Sequence, residues 1–339
     1  MLNTSIGLDL GTSTVVVYVK GKGIVLNEPS AIAIKKDTNE TIATGHAAQI
    51  MYGRTPSDTE VIHPLQAGVI SSYTYTDEMI KHMLSGIIKN FFSKPKIVIC
   101  VPSGITDVEQ RAVIETARQI GARDIYVIEE PIAAALGAGL NINSPVGCMV
   151  ADIGGGTTDI GIISSGKIIS GSSIKIAGND FNDAIARYIR KKYNIIIGPQ
   201  TAEHLKKSIG SATSHTRDLS SIARGICTVS GLPKAEIVTS QELTPCFDEI
   251  IHNISERCKD IMEEVSPQLQ GDILKSGIML TGGGSLLNGL SERLSEETGV
   301  EVHLAPTPVS CVAKGAGMAL DRLNDNSNFR FFKKAYIHE

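Results

Sequence analysis

Two aspartates share the same sequence surroundings, because each ends an apolar run and precedes a glycine turn. The first is Asp9, in IGLDLGTSTVVVYV, and the second is Asp152, in CMVADIGGGTTDIGI. Since glycine has no Cβ, such turns let backbone N–H groups approach phosphate oxygens. The two carboxylates could then hold a hydrated cation, and magnesium suits them because it keeps several waters and takes few carboxylates beside phosphates. The pattern predicts a site for a phosphate compound with magnesium.

The turns also contain the groups that would bind phosphate. Backbone N–H and hydroxyl donors are expected from Thr12, Ser13, Thr14, Gly154, Gly155, Gly156 and Thr157. A third turn lies in LTGGGSLL and precedes a predicted helix, whose N-terminal N–H groups favour anions. One such turn alone is weak evidence, since a plain hairpin turn with a capping aspartate would look the same. The matched pair with a third turn favours a phosphate-binding cleft.

The elements around the turns repeat along the chain. Apolar, β-branched runs separated by glycine turns predict a β-meander at the start, and this pattern begins again near Gly147. Strands alternate with helices after each meander, as in a layered α/β lobe. The sequence therefore predicts two copies of one α/β lobe that face each other. Apolar spacing predicts helices over residues 77–92, 107–120, 179–193, 199–209, 241–265 and 309–323.

Length and composition agree with two lobes and limit the class of partner. The chain has 339 residues, more than a single ordinary core requires. Hydrophobic residues make up 42% and charged residues 20%, which is typical of a soluble globular protein. A formal net charge of −4 argues against nucleic acid as the principal partner.

The cysteines and apolar runs favour a cytoplasmic protein. None of the six cysteines forms a C-x-x-C pair, and several lie in apolar runs, where a free thiol acts as a small hydrophobe. We find neither a secretory signal nor an uninterrupted run of eighteen apolar residues. Any membrane contact is therefore expected to be peripheral.

Ordered motifs resemble the superfamily of actin, DnaK-type chaperones and sugar kinases: DLGT, IEEPIAAALGAG, DIGGGTTD, AGNDFNDAI, AEHLKKSIGSA and LTGGGSLLNGL. Further motifs resemble the MreB family of bacterial actins: KGKGIVLNEPSAIAI, GRTP, IVICVPSGIT and IGSA. The resemblance extends from about residue 6 to residue 323. It implies an α/β, actin-like ATPase fold, in which two duplicated lobes surround a nucleotide cleft and each carries a small subdomain.

The resemblance also implies where the parts of the chain begin and end. The expected parts are the lobe I core (1–30, 65–142 and 310–325), its small subdomain (31–64), the lobe II core (143–177 and 235–309), its small subdomain (178–234) and a C-terminal tail (326–339).

Two residues match the family's hydrolytic positions. Glu130 corresponds to the residue that orients the attacking water, and Thr157 to the threonine near the γ-phosphate. Phosphoryl transfer to water depends on charge neutralisation and a positioned nucleophile, and a carboxylate can align water and accept its proton. Without the resemblance, Glu129 and Glu130 would be interpreted as a charged strand end that caps the next helix.

The implied cofactors are ATP or ADP and Mg²⁺. Asp9 and Asp152 are expected to hold the metal ion through water. The residues expected to bind nucleotide are Thr12, Ser13, Thr14, Gly154, Gly155, Gly156, Gly178, Glu203, Lys206, Lys207, Gly282, Gly283, Gly284 and Ser285. Among them, Glu203, Lys206 and Lys207 match the residues that flank the nucleoside, and the third glycine turn matches the adenosine side.

Three positions depart from the usual MreB pattern. Thr14 replaces an asparagine near the phosphates, Ser208 replaces an acidic residue before IGSA, and Asp159 stands where the usual motif reads TTEV. These differences bear on nucleotide affinity and on the rate of hydrolysis rather than on the presence of the site.

The resemblance implies a weak ATPase that polymerises head to tail into filaments at the inner face of the cell membrane. Such filaments control cell shape, and some relatives in wall-less cells serve motility. Two alternatives remain from the sequence. The chain could be a nucleotide-switched monomeric adaptor, or a sugar-kinase-type or chaperone-type ATPase of the same superfamily.

Candidate contact surfaces can also be named. Phe91 and Phe92 lie beside lysines in a position that matches a membrane-contacting loop, and the tail segment 329–334, Phe329 to Lys334, mixes aromatic and basic residues. A packed phenylalanine pair and a docked or disordered tail are the alternatives. The small subdomains are expected to face the next subunit, and their apolar residues include Ile62, Ile195, Ile196, Ile197, Ile222 and Ile226.

Overall fold

The computed structural model describes residues 5–87, 95–214, 218–322 and 333–334. Its strands are β1 (Ser5–Leu10), β2 (Thr14–Val19), β3 (Gly23–Pro29), β4 (Ile32–Lys35), β5 (Thr41–Thr44), β6 (Thr59–Ile62), β7 (Leu65–Gln66), β8 (Val69–Ile70), β9 (Lys96–Val101), β10 (Asp124–Glu129), β11 (Cys148–Ile153), β12 (Thr158–Ser164), β13 (Lys167–Ile174), β14 (Ile195–Ile196), β15 (Ser220–Cys227), β16 (Pro233–Thr239), β17 (Ile278–Thr281), β18 (Val302–Leu304) and β19 (Lys333–Lys334).

Helices cover and connect these strands. The α-helices are α1 (His46–Met51), α2 (Tyr73–Leu84), α3 (Asp107–Gln119), α4 (Glu130–Gly137), α5 (Gly178–Tyr193), α6 (Pro199–Ile209), α7 (Ser240–Leu243), α8 (Asp248–Glu263), α9 (Pro267–Ser276), α10 (Leu290–Thr298) and α11 (Cys311–Arg322). Short 3₁₀ helices span Thr244–Phe247, Gly284–Leu286 and Pro308–Ser310.

Two large sheets form the body of the molecule, and they share one strand order. The first runs β3-β2-β1-β9-β10-β19 and the second β13-β12-β11-β17-β18. In each sheet the first three strands form an antiparallel meander. The strand that opens the meander then pairs in parallel with a later strand. The predicted duplication of one α/β lobe is confirmed.

The apolar runs become the central strands because helices cover them. In β1 every residue but Asp9 is buried, and all of β12 is buried. Strands covered on both faces are expected to be mostly apolar. The exceptions are Ser5 and Asp9 in β1 and Thr158, Asp159 and Ser164 in β12. The only half-buried residue of β1 is thus the aspartate that ends its apolar run.

Helices α4 and α11 join the lobes. Their apolar residues pack with Val98 of the first sheet and Val150 of the second in one buried cluster. The two helices cross so closely that a Cβ on Gly137 would overlap the carbonyl group of Cys311. Glycine is therefore needed at that crossing, and the joint between the lobes is tight.

Two three-stranded sheets extend the lobes. Strands β5-β4-β6 pack with α1 around Ala31, Ala33 and Ala48. Strands β14-β15-β16 form the other small sheet, which packs against α5 and α6. The hairpin of β15 and β16, and helix α9, were not predicted from the sequence.

The helix predicted over 241–265 is wrong as a single element. Apolar spacing continues through it, but Pro245 lacks a backbone N–H and cannot sit inside an α-helix without breaking it. The chain therefore forms α7, a 3₁₀ turn at Thr244–Phe247 and then α8.

Other predicted helix limits differ as well. Helix α2 begins at Tyr73, earlier than predicted, and ends at Leu84. Residues 88–92 of the predicted helix lie outside the described residues. The third glycine turn opens a 3₁₀ turn instead of an α-helix. By contrast, α6 has the predicted limits, since Pro199 occupies its first turn, where proline is tolerated.

Candidate functional site

The two aspartates end equivalent strands, β1 and β11, and the turns that follow are closed in the same way. The N–H of Gly11 donates to Thr14 O at 3.0 Å, and the N–H of Gly154 donates to Thr157 O at 2.9 Å. We call these turns the first corner (residues 9–14) and the second corner (residues 152–157). Both lie at the carboxyl end of a central strand, where neighbouring loops converge.

The two corners touch each other across the lobes. A Cβ on Gly155 would overlap Ser13 Oγ, and a Cβ on Gly156 would lie 2.6 Å from Thr12 Oγ1. Real Cβ atoms do not approach so closely, so the hydroxyl groups of the first corner require glycine in the second. The glycines predicted to admit phosphate also admit the opposite loop.

A cleft of about 500 Å³ opens beside the corners. Its lining comes from both lobes: Asp9, Leu10, Gly11, Thr12, Ser13, Thr14, Gly68, Glu130, Asp152, Gly154, Gly155, Gly156, Thr157, Gly178, Asn179, Glu203, Lys206, Lys207, Gly210, Gly282, Gly283, Gly284, Leu286, Leu287, Asn288, Val309 and Val312. Apart from Ser285, every predicted site residue is in this lining. Ser285 is buried, and its hydroxyl donates to Gly282 O at 2.6 Å, which stabilises the third turn instead.

Carboxylates gather at the base of the corners. Burial, together with the negative charges of Asp152 and Asp159, raises the pKa of Asp9 to about 8. Burial also raises the pKa of Asp152 to about 7, although its hydrogen bond with Thr281 opposes the rise. A buried carboxylate with like-charged neighbours favours its protonated form. A cation between the corners would relieve this repulsion, so the donor set fits the predicted magnesium ion.

Glu130 belongs to the same group of carboxylates. It begins α4, directly before Pro131, and burial raises its pKa, with further contributions from the charges of Asp159, Asp9 and Asp152. Its neighbour Glu129 does not line the cleft and accepts a hydrogen bond from Ser103 Oγ at 3.3 Å. The two adjacent glutamates therefore have different surroundings.

Asp159 lies beside Glu130, on the strand that follows the second corner. The N–H of Ser103, from the other lobe, donates to its Oδ1 at 3.0 Å. Its Oδ2 is buried and has no hydrogen-bond partner among the described residues. The sequence identified Asp159 only as a departure from the family pattern, whereas the structure puts it within the carboxylate group.

Helix α6 contributes the charged side of the cleft. Lys206 Nζ donates to Gly178 O at 2.7 Å, and burial lowers its pKa to about 8. Lys207 Nζ pairs with Glu203 Oε1 at 2.5 Å. Lys206 is thus a partly buried cation facing the cleft, and Lys207 is held at its rim. Ser208, which also departs from the usual MreB pattern, is exposed and is not part of the lining.

Several lining residues were missed by sequence reasoning. The N–H of Gly68, in the β7–β8 turn, donates to Thr12 Oγ1 at 2.9 Å. The N–H of Asn179 donates to Gly155 O at 2.8 Å, and Asn288 O accepts from the N–H of Ala212 at 2.7 Å. None of these three residues is charged or belongs to a recognisable spacing pattern. The only local indication was Gly178, a predicted site residue that precedes Asn179.

The chain is similar to known proteins along almost its whole length. The family model described as MreB/Mbl protein matches residues 3–328. This chain belongs to the MreB/Mbl family. Within the family, it is 44% identical over 325 residues to the cell shape-determining protein Mbl of Bacillus subtilis (strain 168), with 96% of this chain and 98% of that protein covered.

Solved structures agree with this assignment. The crystal structure of MreB 5 of Spiroplasma citri bound to AMPPNP matches with a TM-score of 0.92 and 38% identity, covering 96% of this chain and 98% of that chain. The same protein bound to ADP matches with a TM-score of 0.91 at 38% identity, covering 96% and 99%. The MamK double helical filament, 20% identical over 94% of this chain and 98% of that chain, shares the fold with a TM-score of 0.80.

Proposed function

We propose that this chain is a cell-shape cytoskeletal protein that binds ATP with Mg²⁺ between its lobes, hydrolyses it slowly and polymerises head to tail. The observation that carries the proposal is the contact between the two corners, in which Gly155 and Gly156 of one lobe meet Ser13 and Thr12 of the other. A phosphate chain bound there would touch both lobes. Binding and hydrolysis would therefore favour different lobe arrangements.

The relatives support this proposal. The Bacillus subtilis protein is named for cell-shape determination, and MreB 5 of Spiroplasma citri was crystallised with AMPPNP and with ADP. Because the likeness covers 96% of this chain in each case, we extend nucleotide binding and the cytoskeletal role to it.

In this proposal the corners bind the phosphates through backbone N–H groups and through the hydroxyls of Thr12 to Thr14. Asp9 and Asp152 hold the magnesium ion through water, and the ion, when bound, neutralises phosphate charge. Lys206 and the third turn contact the nucleoside side. The buried, mutually repelling carboxylates support the assignment, because they gain most from a nearby cation.

Glu130 is proposed to orient the attacking water and accept its proton, with Thr157 near the γ-phosphate. A carboxylate with a raised pKa holds an accepted proton more strongly than an exposed glutamate does. The departures at Thr14 and Asp159 alter the groups around the phosphates. We therefore propose a weak ATPase coupled to filament dynamics.

Self-association is proposed through the small subdomains at 31–64 and 178–234. Ile195 and Ile197 belong to the buried core, so they are not available for contact. Ile222 and Ile226 on β15 are 42% and 55% exposed, and Ile237 on the paired strand is 66% exposed. A head-to-tail contact of such a face with a different face of the next copy makes an open filament.

Sedimentation and electron microscopy test the filament proposal. We expect the ATP-bound protein to form protofilaments above a critical concentration, and Ile222→Glu with Ile226→Glu to abolish them. Ile24→Glu, at a comparably exposed isoleucine on the edge strand β3, is the matched control and should still polymerise. A protein that binds ATP yet stays monomeric at high concentration, with and without lipid, would instead favour the monomeric adaptor.

Membrane contact stays a prediction. Phe91 and Phe92 lie outside the described residues, as does the tail segment apart from Lys333 and Lys334, which pair with strand β10. No helix in the described ranges is long and apolar enough to cross a membrane. We propose a peripheral location at the cytoplasmic face of the membrane.

A further inference from the structure

The lobes also meet at a point away from the corners. Gln200 Nε2, in the first turn of α6, donates a hydrogen bond to Gln49 O, in the last turn of α1. The two residues are 151 positions apart and extend from opposite lobes. The bond therefore spans the division between the halves that the cleft separates.

The acceptor is well prepared for this contact. The last carbonyl groups of a helix lack a full set of partners within the helix, and α1 has only six residues. Gln49 O accepts one hydrogen bond from the N–H of Tyr52 at 3.2 Å, and its second lone pair can accept from Gln200. The side chain of Gln49 is held in turn, since its Oε1 lies 2.9 Å from His63 Nε2. The His63 ring packs edge-on against Tyr52, with ring centroids 4.8 Å apart. Gln49 thus presents its carbonyl oxygen from a fixed position.

The donor sits on the helix that lines the cleft. Gln200 is followed within two turns by Glu203, Lys206 and Lys207, all of which line the cleft. Because α6 is a single helix of 11 residues, its first turn and its cleft-facing residues move together. Any opening of the lobes that draws α6 away from α1 must break the bond to Gln49.

From this geometry we infer that Gln200 is a latch, which slows nucleotide release by holding α6 against lobe I through Gln49 O. The inference rests on the proposed function, because it requires that the cleft hold a nucleotide. It assigns a role in retention to a residue that does not line the cleft and need not touch the nucleotide.

The test is the dissociation rate of a fluorescent ADP analogue, measured by stopped flow on the full chain with excess unlabelled ADP. One net hydrogen bond corresponds to roughly a two- to tenfold change in rate. Gln200→Ala should accelerate release by that factor. Gln200→Glu should accelerate it at least as much, since a carboxylate would face a carbonyl oxygen. Gln200→Lys keeps a long donor and should restore slow release.

His204→Ala is the matched control, because His204 is an exposed residue of the same helix. Its release rate should equal that of the wild type, and equal thermal melting of all variants would exclude unfolding. If Gln200→Ala and Gln200→Glu both release nucleotide at the wild-type rate, the latch is overturned while the proposed function stands. Fast release from Gln200→Lys would also overturn it, by assigning the effect to lost packing. A wild-type protein that binds no nucleotide would overturn the proposed function and the latch together.

Discussion

The first and second corners are built on one backbone but differ in their side chains. Both are closed by the same glycine-to-threonine hydrogen bond. Across the hairpin, however, Asp9 pairs with Val16, whereas Asp152 pairs with Asp159. The second lobe therefore carries an additional buried carboxylate at a position where the first has an apolar side chain. The two lobes thus share the strand–turn–strand backbone, whereas the additional carboxylate lies in the second lobe only.

The two corner aspartates also differ in their neighbours. Thr281, on the parallel strand β17, donates to Asp152 Oδ1 at 2.5 Å. The matching position in lobe I, directly after the paired residue Ile99, is Cys100, whose thiol lies 3.9 Å from Val312 O. A hydroxyl donor favours the charged carboxylate, so the hydrogen bond from Thr281 opposes the rise in the pKa of Asp152 that burial causes.

The variant with the largest expected effect tests whether hydrolysis depends on Glu130, the carboxylate beside Asp159. Glu130→Ala should keep ATP binding and reduce phosphate release by about 10²–10⁴, because an oriented general base is lost. Phosphate release under single-turnover conditions and ATP binding by calorimetry measure the two properties separately. Asp152→Ala should instead weaken magnesium-dependent binding itself.

Glu129→Ala is the matched control for this variant, since its carboxylate faces Ser103. It should hydrolyse ATP at nearly the wild-type rate. Unchanged phosphate release in Glu130→Ala would mean that another group, with Thr157 the next candidate, positions the water.

A second prediction concerns the stability of the nucleotide-free protein. The folded-state pKa of Asp9, about 8, lies above its ordinary value of 3.8, so its stabilising contribution is complete below about pH 4 and is lost as the pH rises towards 8. Asn carries no charge at any pH. Between pH 5 and 8 the free energy of unfolding should therefore fall by roughly 1–3 kcal/mol more in the wild type than in Asp9→Asn. Urea unfolding across this range measures the slopes, and parallel curves would contradict the pKa of Asp9.

The smallest effect sharpens the difference between the two aspartates. Thr281→Val removes the hydroxyl donor, so the pKa of Asp152 should rise above about 7 and less carboxylate should be charged at pH 7. Magnesium-dependent ATP affinity should fall by about three- to tenfold at pH 7 and recover at higher pH. Cys100→Ser adds a hydroxyl beside Asp9 and should not weaken binding. Calorimetric titrations at pH 7 and at higher pH measure this affinity. Equal affinities of Thr281→Val and the wild type at both pH values would refute the role of Thr281.

Much of the candidate site was open to sequence reasoning because its signals are local. An aspartate at the end of an apolar run, followed by a glycine turn, can be recognised within ten residues, and both corners were found in this way. Helix α6 was likewise bounded by Pro199 and by Gly210. Helix α8 was misjudged because apolar periodicity continued across Pro245, so two conflicting local signals had to be weighed.

Residues with no local signal were missed. Gly68 stands in a short hairpin turn, yet its N–H binds Thr12 from a segment 56 positions away. Asn288 joins the cleft only because the third turn packs against the end of α6. Their roles follow from which segments meet, and that information is spread over the whole chain.

The sequence by itself determined the two corners, the duplicated α/β lobes and the family, because strand patterning and glycine turns depend on neighbouring residues. Tertiary structure alone decided how the corners interlock, which carboxylates share a buried site and which side chains bridge the lobes. Electrostatic coupling between Asp9, Asp152 and Asp159 depends on separation and burial, and these arise only when strands more than 100 residues apart are brought together. The contact of Gln200 with Gln49 has the same origin, since the two residues are 151 positions apart and meet only when α1 and α6 are brought together.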